Sequence, residues 1–148
     1  MALWNLRPGV AQMSQITVDS AKIMVVDDDD DVRLMIAQFL NAKGFQVIQA
    51  SSSDEAQQLA LETLPELILM DIGMPHVDGL TAVWQMRDYP QLAEIPVIIV
   101  SAYDSYDLRA EAASTGCQGY LTKPLEPDHL HQVINEVLQK EATPANPV

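Results

Sequence analysis

Basic residues are scarce in this chain. Lys and Arg together number 8 against 21 Asp and Glu, a formal net charge of -13 with pI ≈ 4.3. Such a balance argues against gripping nucleic acid or an anionic membrane, and favours cations and basic protein surfaces. Cysteine occurs once, at Cys117. That excludes an internal disulfide and suits a reducing cytoplasm, where the protein is expected to reside. Beside Gly116, Cys117 is expected to be a small core filler. No apolar run approaches the length of a membrane span. The opening "MALWNLRPGVAQMSQITVDS" lacks a charged segment followed by a continuous apolar stretch, so it does not read as a signal peptide. Residues 1–20 are expected to be a flexible extension, and 141–148, "EATPANPV", a tail or the start of a linker. There are no internal repeats and no low-complexity tract.

What is present is a regular alternation over residues 21–140, one domain's worth of chain. "KIMVV" (22–26) is a short apolar strand. Val32, Met35, Ile36, Phe39 and Leu40 then recur at helical spacing, with Gly44 at the stop. "FQVIQA" (45–50) is a second strand. Ser52 and Glu55 have capping-box spacing before a helix with Ala56, Leu59, Ala60 and Leu64 on one face, closed by Pro65. "LILMD" (67–71) is apolar on both faces, as a central parallel strand should be. Asp78 is the expected N-cap of a third helix with Leu80, Val83, Trp84 and Arg87 in step, which makes Trp84 a core residue. "IPVIIVSA" (95–102) and "QGYLT" (118–122) are further strands, each followed by a helix. Leu130, Val133, Ile134, Val137 and Leu138 mark the inward face of the last one. Five strand–helix units in alternation predict an α/β, doubly wound, five-stranded parallel sheet with helices on both faces.

In such sheets the working site lies beyond the carboxyl ends of the strands. The first strand ends in Asp27 and Asp28, the third in Asp71, the fourth in Ser101, the fifth in Lys123-Pro124. With strand order 2-1-3-4-5, three carboxylates converge, with a hydroxyl and an ammonium on the far side. Two like charges about 4 Å apart repel by roughly 4 kcal/mol at a protein surface. The run "VVDDDDDVR" therefore needs an offset. Asp29, Asp30 and Asp31 fall at the N-cap and first turn of the first helix, where the helix dipole favours negative charge. Asp27, Asp28 and Asp71 form a hard oxygen donor set suited to Mg²⁺ or Mn²⁺. A carboxylate beside such an ion and facing an ammonium is arranged to accept a phosphoryl group.

Four motifs carry a resemblance: "IMVVDD", "LILMDIGMPHVDGL", "IPVIIVSA" and "GYLTKPL", in order across residues 21–140. Together they resemble a receiver domain of two-component response regulators, with the CheY-like, flavodoxin-like fold. The resemblance implies that Asp71 is the phosphoacceptor and that Asp27 and Asp28 are the Mg²⁺-binding acidic pair. It implies that the Gly73 backbone carbonyl completes the metal shell and that Lys123 binds the phosphoryl group. Ser101 and Tyr120 match the switch positions, and Lys123–Pro124 is expected to be cis. Met74-Pro75 and Asp78-Gly79 complete the loop after the acceptor. Gly73 and Tyr103 depart from the commonest residues at positions that tune the phosphoaspartate lifetime in the family. The implied partners are a histidine kinase or histidine phosphotransfer protein as donor and a downstream protein target. The implied role is signalling, with no turnover of an external substrate.

Three other readings compete. Asp28-x-Asp30-x-Val32 matches the first motif of a haloacid-dehalogenase-type phosphatase with Asp28 as nucleophile, but that leaves Asp71 and its loop without a role. A pseudo-receiver binding module would have lost an acidic residue or the lysine. A flavin-binding protein would need a glycine- and hydroxyl-rich loop where five aspartates stand. Among lesser candidates, His129 and His131 point apart on a helix and make a poor metal pair. His76 reads as a solvated loop residue. Tyr106 and Arg109 belong either to a partner surface or to an ordinary exposed face.

Overall fold

The computed structural model describes residues 20–73 and 78–142. Its elements are β1 (Lys22–Val26), α1 (Asp30–Ala42), β2 (Gln46–Ala50), α2 (Ser53–Thr63), β3 (Leu67–Asp71), α3 (Gly79–Met86), β4 (Val97–Ser101), α4 (Tyr106–Ser114), β5 (Gly119–Thr122) and α5 (Pro127–Ala142). All strand pairs are parallel, as the alternation predicted, and the order is β2-β1-β3-β4-β5, as expected for the CheY-like fold. Residues 1–19 of the proposed extension (1–20), residues 143–148 of the proposed tail (141–148) and Met74, Pro75, His76 and Val77 lie outside the described residues. Among the described residues, no helix is long and apolar enough to cross a membrane.

The strands' period of two sorts their side chains onto two cores. Ile23, Val25, Leu67, Leu69 and Ile98 pack with Ile36 and Leu40 of α1 and with Leu130, Ile134, Val137 and Leu138 of α5. Met24, Val26, Ile68, Met70, Val97 and Ile99 pack on the other face. Their partners there are Ala56 and Ala60 of α2, Leu80, Ala82, Val83 and Met86 of α3, and Ala112 of α4. β3 and β4 are buried along their whole length. The helices start where the caps stand: Asp29, Ser52, Asp78 and Ser105 each accept a hydrogen bond from a backbone N–H of the following turn. Gly44 (φ 99°) closes α1, its left-handed conformation carrying little cost for a residue without Cβ.

Three expectations need correction. Trp84 is 64% exposed, not core. The buried arc of α3 holds Gly79, Leu80, Ala82, Val83 and Met86, so the helix is rotated toward Gly79. Gly79 explains the rotation, because it passes directly over the end of β3. A Cβ there would overlap the Asp71 backbone oxygen and lie 2.9 Å from Ile72 Cα. Met35 is 58% exposed, since the inner arc of α1 runs through Ile36, Ala37 and Leu40. Leu64 is also exposed; α2 ends at Thr63, and Leu64 caps it in the left-handed region at φ 50°. The following Pro65 disfavours a right-handed helical turn at that residue.

Candidate functional site: an acidic cluster facing one lysine

The parallel ladder carries each polar residue to the same edge. Beyond β1, the Asp27 N–H donates to the Ala50 carbonyl at 3.1 Å. Beyond β3, the Ile72 N–H donates to Val100, and beyond β5 the Lys123 N–H donates to Ser101 at 2.7 Å. Asp27 and Asp71 are therefore held by sheet backbone, and both are buried, while Asp28 is exposed. Carboxylate oxygens of Asp27, Asp28 and Asp71 all lie within 4.8 Å of one another. Lys123 Nζ donates to Asp27 Oδ2 at 3.0 Å and stands 3.7 Å from Asp71 Oδ1. The Lys123–Pro124 peptide is cis.

Ser101 is buried one step beyond Val100, the residue that pairs with Asp71. Its Oγ accepts the Tyr103 N–H at 3.0 Å. Tyr120 lies outside the charged cluster. It pairs with Ile99 and its hydroxyl donates to the Tyr103 carbonyl at 2.7 Å. The Gly73 N–H donates to Asp71 Oδ1 at 3.1 Å.

The electrostatics follow from this packing. Burial pushes the Asp71 carboxyl above its ordinary value. The Gly73 N–H pulls it down, the Asp27 charge pushes it up, the Lys123 ammonium pulls it down, and Asp28 adds a further upward push. Burial alone would lower the Lys123 ammonium. Its hydrogen bond to Asp27 and the charges of Asp71, Asp27 and Asp28 outweigh that and hold it above its ordinary value. One lysine facing three carboxylates leaves excess negative charge, and hard oxygen donors this close suit a dication such as Mg²⁺.

Two supports escaped the sequence reading. The Asp27 side chain bends back to accept the Asp29 N–H at 2.9 Å. Arg33 donates to the Asp27 carbonyl at 2.8 Å and to Asp30 Oδ1 at 2.7 Å, bringing a cation against the acidic run. Its signal was in the sequence, since Arg33 ends the run "VVDDDDDVR" and lies three residues past Asp30 on a helix. His129 is exposed, and the His131 ring packs edge-on against Phe39 and Phe45. Cys117 is half-buried, and burial pushes its thiol up.

Comparison with known proteins agrees with this geometry. Residues 23–135 match the family described as "Response regulator receiver domain". Regulatory protein AtoC of Escherichia coli is 33% identical over 121 residues, covering 82% of this chain but 26% of AtoC. An uncharacterized 14.6 kDa protein of Leptolyngbya boryana is 33% identical over 120 residues, covering 81% of this chain and 92% of that protein. Among solved structures, the Vibrio cholerae chemotaxis protein CheY4 superposes with a TM-score of 0.77 at 28% identity, covering 80% of this chain and 98% of CheY4. A doubly wound parallel sheet with Asp27, Asp28, Asp71 and Lys123 gathered at its carboxyl edge is the CheY-like arrangement. The chain belongs to the receiver-domain family of two-component response regulators.

Proposed function

We propose that this receiver domain accepts a phosphoryl group on Asp71 and uses it to alter a protein-binding surface. The donor would be the phosphohistidine of a histidine kinase or histidine phosphotransfer protein. A carboxylate oxygen of Asp71 attacks phosphorus, the P–N bond breaks, and the imidazole leaves with its electron pair. Lys123 neutralises phosphoryl oxygens in this step, and the Ser101 hydroxyl donates to one of them after transfer. Asp27, Asp28, Asp71 and the Gly73 carbonyl would hold Mg²⁺, which supplies charge neutralisation at the phosphoryl oxygens. Activity on an external substrate is not part of this reading, nor is direct nucleic-acid binding. The location would be cytoplasmic.

The observation that carries the reading is Lys123 Nζ, 3.0 Å from Asp27 and 3.7 Å from Asp71. Asp71 is thus a buried acceptor with a cation beside it. Incubation with Mg²⁺ and a small-molecule phosphodonor should add one phosphoryl group, labile to alkali and hydroxylamine as an acyl phosphate is. Asp71→Asn should abolish the addition, and Asp28→Asn should mainly weaken the metal requirement. Undiminished labelling of the Asp71→Asn protein, with the label on Asp28, would favour the phosphatase mechanism instead.

A further inference from the structure

Tyr103 has both of its backbone groups engaged: its N–H by Ser101 Oγ at 3.0 Å and its carbonyl by the Tyr120 hydroxyl at 2.7 Å. A serine hydroxyl can accept one hydrogen bond and still donate another. Ser101 can therefore move toward a new acceptor and carry the Tyr103 backbone with it. Movement of Tyr103 in turn pulls on Tyr120. The hydrogen bond to Tyr103 holds the Tyr120 hydroxyl but leaves the face of its ring to be held by other groups.

The restraint comes from α4. The Arg109 guanidinium lies over the Tyr120 ring, 4.6 Å from its centroid. Arg109 Nε is fixed by Asp104 Oδ1 at 2.6 Å, and Asp104 lies one residue beyond Tyr103. The ion pair thus spans from the β4–α4 loop to the first turn and a half of α4, with the tyrosine ring beneath the cation. We infer that Asp104 and Arg109 form a latch that pins Tyr120 on the Tyr103 carbonyl, making Arg109 a positioning residue for the Ser101–Tyr120 pair. This rests on the proposed phosphorylation of Asp71 and on the switch role that the family resemblance implies for Ser101 and Tyr120, and adds the element that sets how firmly the ring is held.

The latch is built from two exposed, modest interactions, a surface ion pair and a cation–π contact. Its removal should therefore shift the balance of Tyr120 conformations by about threefold to tenfold and leave the fold intact. The test is ¹⁹F NMR of the full chain carrying 3-fluorotyrosine, with the Tyr120 signal assigned by Tyr120→Phe. Without phosphodonor, Arg109→Gln should raise the minor Tyr120 population or shift the averaged signal. Asp104→Asn should do the same, and the double variant should match either single one, because the two residues act as a unit. Tyr120 signals identical in wild type and Arg109→Gln would overturn the latch, as would fully additive effects of the two substitutions.

A second arm separates this inference from the reading beneath it. Phosphodonor with Mg²⁺ should move the wild-type Tyr120 signal, and move that of Arg109→Gln less. If the variants differ at rest but phosphorylated Asp71 leaves Tyr120 unmoved, the latch stands and the switch reading fails.

Discussion

Helices α4 and α5 flank the same short strand, β5, and are held in different ways. α5 buries Leu130, Ile134, Val137 and Leu138 in the core it shares with α1. α4 buries Ala112, with Leu108 half-buried and Tyr106, Arg109 and Ala110 exposed. Its remaining hold is polar: the Ser105 cap, the Asp104–Arg109 pair and the stack on Tyr120. Apolar burial at about 25 cal/mol per Å² anchors one helix far more strongly than a few solvent-screened contacts anchor the other. The charged site sits on the rigid centre of the sheet, whereas the flank next to Ser101 is the part that can yield at low cost.

The largest effect should come from cutting the apolar anchor. Ile134→Ala should destabilise the protein by about 2–5 kcal/mol, because it removes a fully buried side chain and leaves a cavity. Leu108→Ala should cost about 1 kcal/mol or less. Urea unfolding monitored by circular dichroism measures both, and equal losses would break the contrast between the two helices.

A smaller effect of opposite sign is expected at the site. Because the folded Asp71 carboxyl titrates above its ordinary value, its contribution to stability is complete below the ordinary carboxylate range and is lost as pH rises through the raised one. Asn mimics the protonated form. Asp71→Asn should therefore match wild type near pH 4 and exceed it in stability at pH 7 in the absence of metal, seen as a higher Tm. Mg²⁺ should narrow that gap by stabilising the wild type more. A gap that is constant with pH would mean that the like charges around Asp71 are already relieved.

The smallest effect concerns the cap of α4. Ser105→Ala removes the acceptor for the Leu108 N–H and should cost about 0.5–1 kcal/mol. Amide hydrogen exchange should show the loss confined to α4, with α5 protection unchanged. Uniform loss across both helices would mean that α4 opens only with the whole domain.

Most of the architecture was legible in the sequence because strands and parallel topology leave strong marks. β3 and β4 read as unbroken apolar runs, and the polar residue that ends each strand announced the site edge. The carboxylates and Lys123 could be placed together because sheet order alone brings them to one side. What did not show was phase. Helical spacing gives a period but not its rotation, and α3 is turned by a backbone contact at Gly79 that no periodicity encodes, which moves Trp84 outside. Also hidden were the hydrogen bonds that hold the carboxylates, such as the Gly73 N–H on Asp71. These arise from loop conformation rather than residue type. Arg33 was visible as a charge, but its reach back to the Asp27 carbonyl depends on where α1 begins.

If Asp71 is phosphorylated as proposed, the phosphoryl group should be read out on the soft flank formed by α4 and β5. Amide chemical shifts of wild type and Ser101→Ala, recorded with and without phosphodonor and Mg²⁺, test it most directly. In wild type, changes should spread from the site through residues 104–122, including Arg109 and Tyr120, while the buried face of α5 stays still. Ser101→Ala should still accept the phosphoryl group and should transmit little of it to that flank. Changes in the phosphorylated wild type that remain around Asp27, Asp71 and Lys123 and never reach residues 104–122 would mean that the α4 flank does not read the phosphoryl group.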